Sequence, residues 1–212
     1  MTADRPGWNA VVPVKAWRSA KSRLDVRGDV REQLARALTL DTLDVLASHP
    51  DVAHLVVVTA DAEAAREADS RGAVVLTEAP SADPLNDAVR QGCAWVASSA
   101  GDGPTVVVPA DLAYLSAEVL SSALAALAAA GKAHVPDLDG TGTTLVAAPT
   151  ASAIDPHYGL GSSELHAAAG FERLESVDPR ARSDIDQLDD LNSAWSPGPR
   201  VSALIRRSAI GA

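Results

Sequence analysis

The sequence predicts an α/β fold built on a mainly parallel sheet, and three observations carry that prediction. Short Val-rich runs recur along the chain, and they are almost continuously apolar rather than alternating, as strands covered on both faces are. Segments of helical length and helical periodicity separate these runs through the first 130 residues, which is the alternation that produces parallel sheets. The chain of 212 residues is 47% hydrophobic and 22% charged, enough for one generous domain with a real core. Aromatic residues make up only 3%, so that core must be filled by Ala, Val and Leu.

The elements follow in order. Trp8 to Val14 (WNAVVPV) reads as the first strand. From Asp29 to Ser48, the side chains of Val30, Leu34, Ala37, Leu38, Val45 and Leu46 fall near one face at helical spacing. His54 to Thr59 and Ala73 to Thr77 are strands flanking a helix over Asp61 to Ser70. A helix over Asp83 to Ser98 leads to a strand over Thr105 to Pro109. The Ala-rich helix from Ser116 to Ala130 stops at Gly131, a residue suited to a helix C-terminus. The second half changes character: Lys132 to Pro136, Thr143 to Ala148 and Phe171 to Val177 read as strands joined by Gly- and Pro-containing loops. They form a smaller mixed part continuous with the same sheet. From Ser196 (SPGPR) a tail begins as a loop. No linker, repeat or low-complexity segment divides the chain, so we expect a single domain.

Composition removes several functional classes. A net charge of −10 and a pI near 4.8 argue against general nucleic-acid or anionic-membrane binding, which needs a basic surface. The four Trp are scattered and form no stacking platform. One Cys excludes an internal disulfide framework and a thiolate cluster. His49, His54, His134, His157 and His166 show no metal-ligand spacing, with His166 expected at solvent or capping a short helix, and Cys93 expected to pack inside its helix. No apolar run reaches membrane length and no basic segment precedes an apolar one, so a soluble, cytoplasmic protein is expected. An Ala- and Val-rich surface is compatible with a homodimer, and nothing in the sequence specifies one.

Five segments could carry chemistry. Lys15, Lys21, Ser22 and Arg23 follow the first strand, at the sheet edge where α/β folds bind ligands. They form either a loop that grips a nucleoside triphosphate or a solvated basic stretch. The Walker and dinucleotide fingerprints are both absent. In Val106-Val107-Val108-Pro109-Ala110-Asp111, an apolar strand ends in a carboxylate that either holds a hard cation such as Mg²⁺ or caps a following turn or helix. In Ser183-Asp184-Ile185-Asp186, two acids two residues apart point to opposite sides of an extended segment. One can face a site while Asp186 caps the helix through Leu191, with Asp189 and Asp190 set against its dipole. Finally, Gly140-Thr141-Gly142-Thr143-Thr144 and Tyr158-Gly159-Leu160-Gly161-Ser162-Ser163 are either ordinary turns or loops whose N–H and hydroxyl groups meet an anion. A helix starting at Ser162 would favour an anion further. Asn86, in Asp83-Pro84-Leu85-Asn86, reads as a polar residue of a first helical turn.

Taken in order, PVKAWRSAKSRL, DPLNDAV, VVVPADL, PDLDGTGTTL, HYGLGSSELH and SDIDQLDDL resemble the landmarks of the 2-phospho-L-lactate guanylyltransferase family of coenzyme F-420 biosynthesis. The actinobacterial members of that family act on phosphoenolpyruvate. The resemblance spans about residues 8–195 and is specific as a combination, not piece by piece. It implies a nucleotidyltransferase fold of the glycosyltransferase-A-like type, with a nucleotide-binding half over about residues 8–130, an acceptor-binding part over about 131–195 and a tail over 196–212. It implies that Lys15, Lys21, Ser22 and Arg23 handle the GTP phosphates and that Asp83 and Asn86 lie near the guanosine. Asp111 and Asp184 match metal-binding acids, with Asp186 competing for the second place. Thr143, Gly159 and Ser162 match positions holding a phosphoenolpyruvate-type acceptor, with Thr144 an alternative to Thr143. The chain departs from the family in reading Ala110-Asp111-Leu112-Ala113 where GDLP is usual and DIDQLDDL where DIDTPEDL is common. Both departures keep the acids and alter loop shape.

The expected reaction is Mg²⁺-dependent transfer of a guanylyl group from GTP to the phosphate of a small phosphorylated carboxylic acid, with Lys15, Lys21 and Arg23 offsetting charge on the departing pyrophosphate. Rival readings are a nucleotidyltransferase for another acceptor (3-phosphoglycerate, a sugar phosphate, molybdopterin) and a non-catalytic nucleotide-binding module. The Ala- and Arg-rich composition leans the acceptor toward phosphoenolpyruvate over 2-phospho-L-lactate.

Overall fold

A computed structural model describes residues 7–20, 28–185, 190–191 and 194–208. Seven strands form one sheet: β1 (Trp8–Val14), β2 (Val52–Thr59), β3 (Val74–Thr77), β4 (Thr105–Val107), β5 (Ala133–Pro136), β6 (Thr143–Ala148) and β7 (Glu172–Arg173). Their order is β3-β2-β1-β4-β6-β5-β7. The pairs β1/β2, β2/β3, β1/β4 and β5/β7 run parallel, while β6 lies antiparallel to both β4 and β5. The helices are α1 (Gly28–Ser48), α2 (Ala62–Asp69), α3 (Pro84–Ser99), α4 (Ala117–Ala130), α5 (Ser162–Ala168) and α6 (Pro199–Ser208).

The apolar strands are apolar because both faces are covered. Ala10, Val12 and Val14 of β1 point to one side with Leu55, Val57, Val106 and Val135, and meet Leu43 and Leu46 of α1 and Leu120, Leu124 and Leu127 of α4. Val11, Val56, Val107 and Val146 point to the other side, against Val89, Cys93 and Val96 of α3 and against Phe171. Alternate side chains thus enter two different cores, and neither set can be polar. On the α3 face the fit is close. A Cβ on Gly92 would stand 2.4 Å from Val11 Cγ1, so the absence of a side chain there lets α3 approach the sheet.

Several expected boundaries shift for local reasons. β4 ends at Val107 rather than Pro109, although Val108 N–H still donates to the Val11 carbonyl at 3.0 Å; Pro109 has no N–H to continue the ladder. Asp61 and Ser116, expected inside helices, are instead the N-caps of α2 and α4, their side-chain oxygens accepting from Glu63, Ala64 and Val119 N–H groups. The strand expected over Phe171 to Val177 is reduced to Glu172–Arg173, an edge strand paired with β5 alone.

The tail begins as a loop over residues 196–198, as expected, and then turns helical. It forms α6, begun by Pro199 and packed on α1. The carboxylate of Asp41, in the middle of α1, accepts from the N–H groups of Arg200 and Val201 at 3.0–3.2 Å and from the Arg200 guanidinium at 3.0 Å. The cap of α6 is therefore supplied by another helix, a partner 159 residues away. No helix among the described residues is long and apolar enough to cross a membrane.

Candidate active site

The strand order reverses direction between β1 and β4, since the chain winds from β1 outward to β3 and then returns to β4 on the other side. Ligands of open α/β sheets bind outside the carboxyl ends of the strands at such a reversal. A cleft of about 700 Å³ lies there, lined by Pro13 to Trp17, Thr39, Pro84, Leu85 and Pro109 to Asp111. The sheet thus brings together Lys15 and Asp111, which are nearly a hundred residues apart in sequence.

Each is positioned by the turn at the end of its strand. After β1 the chain makes a 3-10 turn over Trp17–Ser19, and Trp17 is fixed at both ends. Its indole N–H donates to Thr39 Oγ1 at 3.1 Å, and its backbone N–H donates to Asp61 Oδ2 at 3.1 Å, the same carboxylate that caps α2. The ring is 2% exposed, so the turn is anchored while Lys15 stays exposed at the cleft. Beyond β4, Leu112, Ala113 and Tyr114 are buried and hold the loop that carries Asp111. Asp111 lies in a turn, so it does not cap a helix.

The segment carrying Asp184 lies against that loop. Ile185 is fully buried beside Ala113, Tyr114 and Leu34. Tyr114 donates to the Asp190 carbonyl at 2.6 Å. Upstream, Arg182 donates to the carbonyls of Pro136, Asp137 and Glu175 at 3.1, 2.8 and 3.0 Å, which ties the segment to the end of β5. Lys21, Ser22, Arg23 and Asp186 lie outside the described residues.

The Asp83-Pro84-Leu85-Asn86 segment opens α3, and the structure adds to the reading of Asn86. It is 5% exposed. Its amide nitrogen donates to both Asp83 oxygens at 3.0 and 3.1 Å and to the Tyr158 carbonyl at 2.9 Å, and its Oδ1 accepts from Tyr158 N–H at 2.7 Å. Asn86 sits in the first turn of α3, as expected, and is in addition a buried latch between α3 and the 157–159 segment. Pro84 and Leu85 face the cleft in its place.

The two glycine loops fall on different sides of the alternatives the sequence left open. In Gly140 to Thr144, the N–H groups of Thr141 and Gly142 donate to the Asp137 carboxylate at 3.0 and 2.8 Å. A Cβ on Gly142 would press on the Asp137 carboxylate, so a side chain there would push aside the acceptor of this internal turn. Those donors are spent inside the protein, and the loop instead presents the hydroxyl of Thr143. Thr144 is buried, its hydroxyl donating to the Val135 carbonyl at 3.3 Å.

In the second loop, Gly159 and Gly161 both have positive φ, +139° and +70°, a backbone that disfavours other residues. α5 does begin at Ser162. It is a single short helix whose first N–H groups are already taken: Ser162 N–H donates to Gly159 and Ser163 N–H to Thr141. Its hydroxyls matter more. Ser162 Oγ–H donates to Thr143 Oγ1 at 3.2 Å, which brings the two expected acceptor residues together.

His166, expected at solvent or capping a short helix, is instead fully buried beneath this pair, in the last turn of α5. Its Nδ1 lies 3.0 Å from Thr143 Oγ1 and its Nε2 3.0 Å from the His157 backbone nitrogen. Burial first, then the neighbouring His134 and His157, push its pKa down to about 4. His134 is buried next to it, with Nε2 3.0 Å from Ser163 Oγ, which also accepts from Arg173 at 2.7 Å. Burial and the Arg173 charge lower the pKa of His134 as well. Ser162 and His166 stand at i and i+4 on α5, so helical spacing alone would have set them on one face. Cys93, as expected, is packed in the core, and burial raises its thiol to about 12. Among the described residues no group of three or more His, Cys, Asp or Glu side chains could hold a metal.

Comparison with known proteins gives the chain a family and confirms the fold. The family model described as guanylyl transferase CofC like matches residues 8–172. The phosphoenolpyruvate guanylyltransferase of Streptomyces coelicolor is 38% identical over 209 residues, covering 96% of this chain and 98% of its own. That of Streptomyces scabiei is 40% identical over 212 residues, covering 96% and 98%. Among solved structures, a 4-diphosphocytidyl-2C-methyl-D-erythritol synthase superposes with a TM-score of 0.60 at 16% identity, over 89% of this chain and 96% of its own. That likeness shows the nucleotidyltransferase fold.

Proposed function

The chain belongs to the CofC-like guanylyl transferase family, and from that premise we propose that it transfers the guanylyl group of GTP to the phosphate of phosphoenolpyruvate. An acceptor phosphate oxygen attacks the α-phosphorus of GTP, the bond to the β-phosphate oxygen breaks, and pyrophosphate leaves. The nucleophile is already an anion, so no general base is needed, and catalysis rests on positioning and charge compensation. The place in coenzyme F-420 biosynthesis belongs to the same proposal.

The observation that carries this reading is the convergence of Lys15 and Asp111 on one cleft at the strand reversal between β1 and β4. Lys15 would meet the triphosphate, joined by Lys21, Ser22 and Arg23 a few residues further along the chain. Asp83, exposed at the start of α3, would lie toward the guanosine, while Asn86 acts by holding Tyr158. Thr143, Gly159 and Ser162 would receive the acceptor. The relatives named for phosphoenolpyruvate favour it over 2-phospho-L-lactate as that acceptor.

Asp111 and Asp184 suit Mg²⁺ by the chemistry of their donor set. Both are carboxylates on adjoining segments, the hard oxygen donors that Mg²⁺ takes from protein while sharing its coordination with substrate phosphates. Bound there, Mg²⁺ would supply positive charge against the triphosphate. Asp186 remains the other candidate for the second carboxylate.

The test is Asp111→Asn, assayed with GTP, phosphoenolpyruvate and Mg²⁺ by weighing the products. Turnover should fall by about a thousandfold or more, in line with the loss of a principal electrostatic element, with an unchanged circular dichroism spectrum. Native turnover in that variant would overturn the assignment of Asp111.

A further inference from the structure

The hydroxyl of Thr143 has a direction imposed on it. The backbone N–H of His157 can only donate, so the His166 Nε2 that lies 3.0 Å away must accept. A neutral imidazole that accepts at Nε2 carries its proton on Nδ1. That proton points at Thr143 Oγ1, 3.0 Å distant. Ser162 donates to the same oxygen from 3.2 Å. Both lone pairs of the Thr143 hydroxyl are then filled, and its own proton is left to donate away from the pair. Among the described residues no acceptor takes it.

We propose that His166 is a positioning residue of the acceptor subsite, which turns Thr143 into a one-way hydrogen-bond donor aimed at an anionic oxygen of the phosphorylated acid. This rests on the reading of Thr143 and Ser162 as acceptor residues. Full burial keeps the ring neutral, which the arrangement needs: a second ring proton would face the His157 N–H head on. A hydroxyl held as donor suits carboxylate and phosphate oxygens, which accept only and bond most strongly when charged. The same ring holds His157, and Asn86 holds Tyr158, so the backbone leading to Gly159 is fixed from α5 and α3 at once.

Isosteric variants separate the two ends of the ring. The amide nitrogen of Asn reaches the place of Nδ1, and the amide of Gln reaches that of Nε2. His166→Asn therefore retains a donor to Thr143, and His166→Gln retains a partner for His157. His166→Gln should raise KM for phosphoenolpyruvate by roughly tenfold to a hundredfold, the worth of one hydrogen bond to a charged group. KM for GTP should stay unchanged, and His166→Asn, which loses only the hold on His157, should raise KM for phosphoenolpyruvate clearly less than His166→Gln does. Thr143→Val should match the Gln variant, and combining the two should add nothing further. The reverse order of Asn and Gln, or fully additive effects, would overturn the proposal and leave His166 as a latch for His157. If Thr143→Val leaves KM for phosphoenolpyruvate at the native value, the acceptor reading itself fails. If Thr143→Val raises it and His166→Gln does not, only the role of His166 fails. A readout on the unmutated protein is also available: nitrogen-15 NMR should show His166 neutral with its proton on Nδ1, and an Nε2–H tautomer would overturn the proposal.

Discussion

Acid should destabilise this protein through His166 before its carboxylates titrate. Unfolded, His166 titrates at the ordinary value of about 6.5. Folded, burial and its histidine neighbours hold it at about 4. Between these values the unfolded state binds the extra proton, so stability falls as pH falls, beginning near 6.5 and levelling off near 4. The whole shift corresponds to a ceiling of about 3 kcal/mol. At pH 5 the loss is about 2 kcal/mol, and relaxation around the ring lowers it further. His134, also depressed, adds to the loss with the same sign. The carboxylates act lower down. Burial raises Asp44, yet Arg200 and Arg71 outweigh it and hold the group below its ordinary value, so its contribution persists until more acid conditions. The assay is urea unfolding followed by Trp fluorescence at pH 7, 6 and 5, on the native protein and on His166→Asn. The native protein should lose about 1–2 kcal/mol more than the variant between pH 7 and 5, with equal m-values. Equal losses in the two proteins, or a native protein that gains stability on acidification, would refute the argument.

The packing leads to two more expected outcomes. Asn86→Leu strands the Tyr158 N–H and carbonyl and should cost about 2–4 kcal/mol in urea unfolding, while raising KM for phosphoenolpyruvate more than KM for GTP; an unchanged midpoint would show that the latch is not needed. Gly92→Ala gains about 1 kcal/mol of helix propensity, but its Cβ would stand 2.4 Å from Val11 Cγ1, and overpacking of about 1–3 kcal/mol should win. A variant more stable than the native protein by chemical denaturation would mean that α3 moves away from the sheet at little cost.

The sequence by itself determined the sheet and the two ends of the cleft. Valine runs such as Leu55 to Val58 are apolar on both sides only when both faces are covered, and that pattern is local to a few residues. Lys15 and Asp111 come directly after their strands, so their position at the carboxyl edge is set by chain direction alone. The tertiary structure decided the partners. Asn86 meets Tyr158 across 72 residues, and Asp41 caps α6 across 159. The glycine loop after β5 reads equally as an ordinary turn or an anion-binding one until Asp137 is seen to occupy its N–H groups. His166 reads as a surface or helix-capping histidine until β5, β6 and the 157–159 segment close over it. A periodicity says which face of an element is buried; which polar group waits on the other side is fixed only when the elements pack, because a buried donor or acceptor must find its partner wherever the fold brings one.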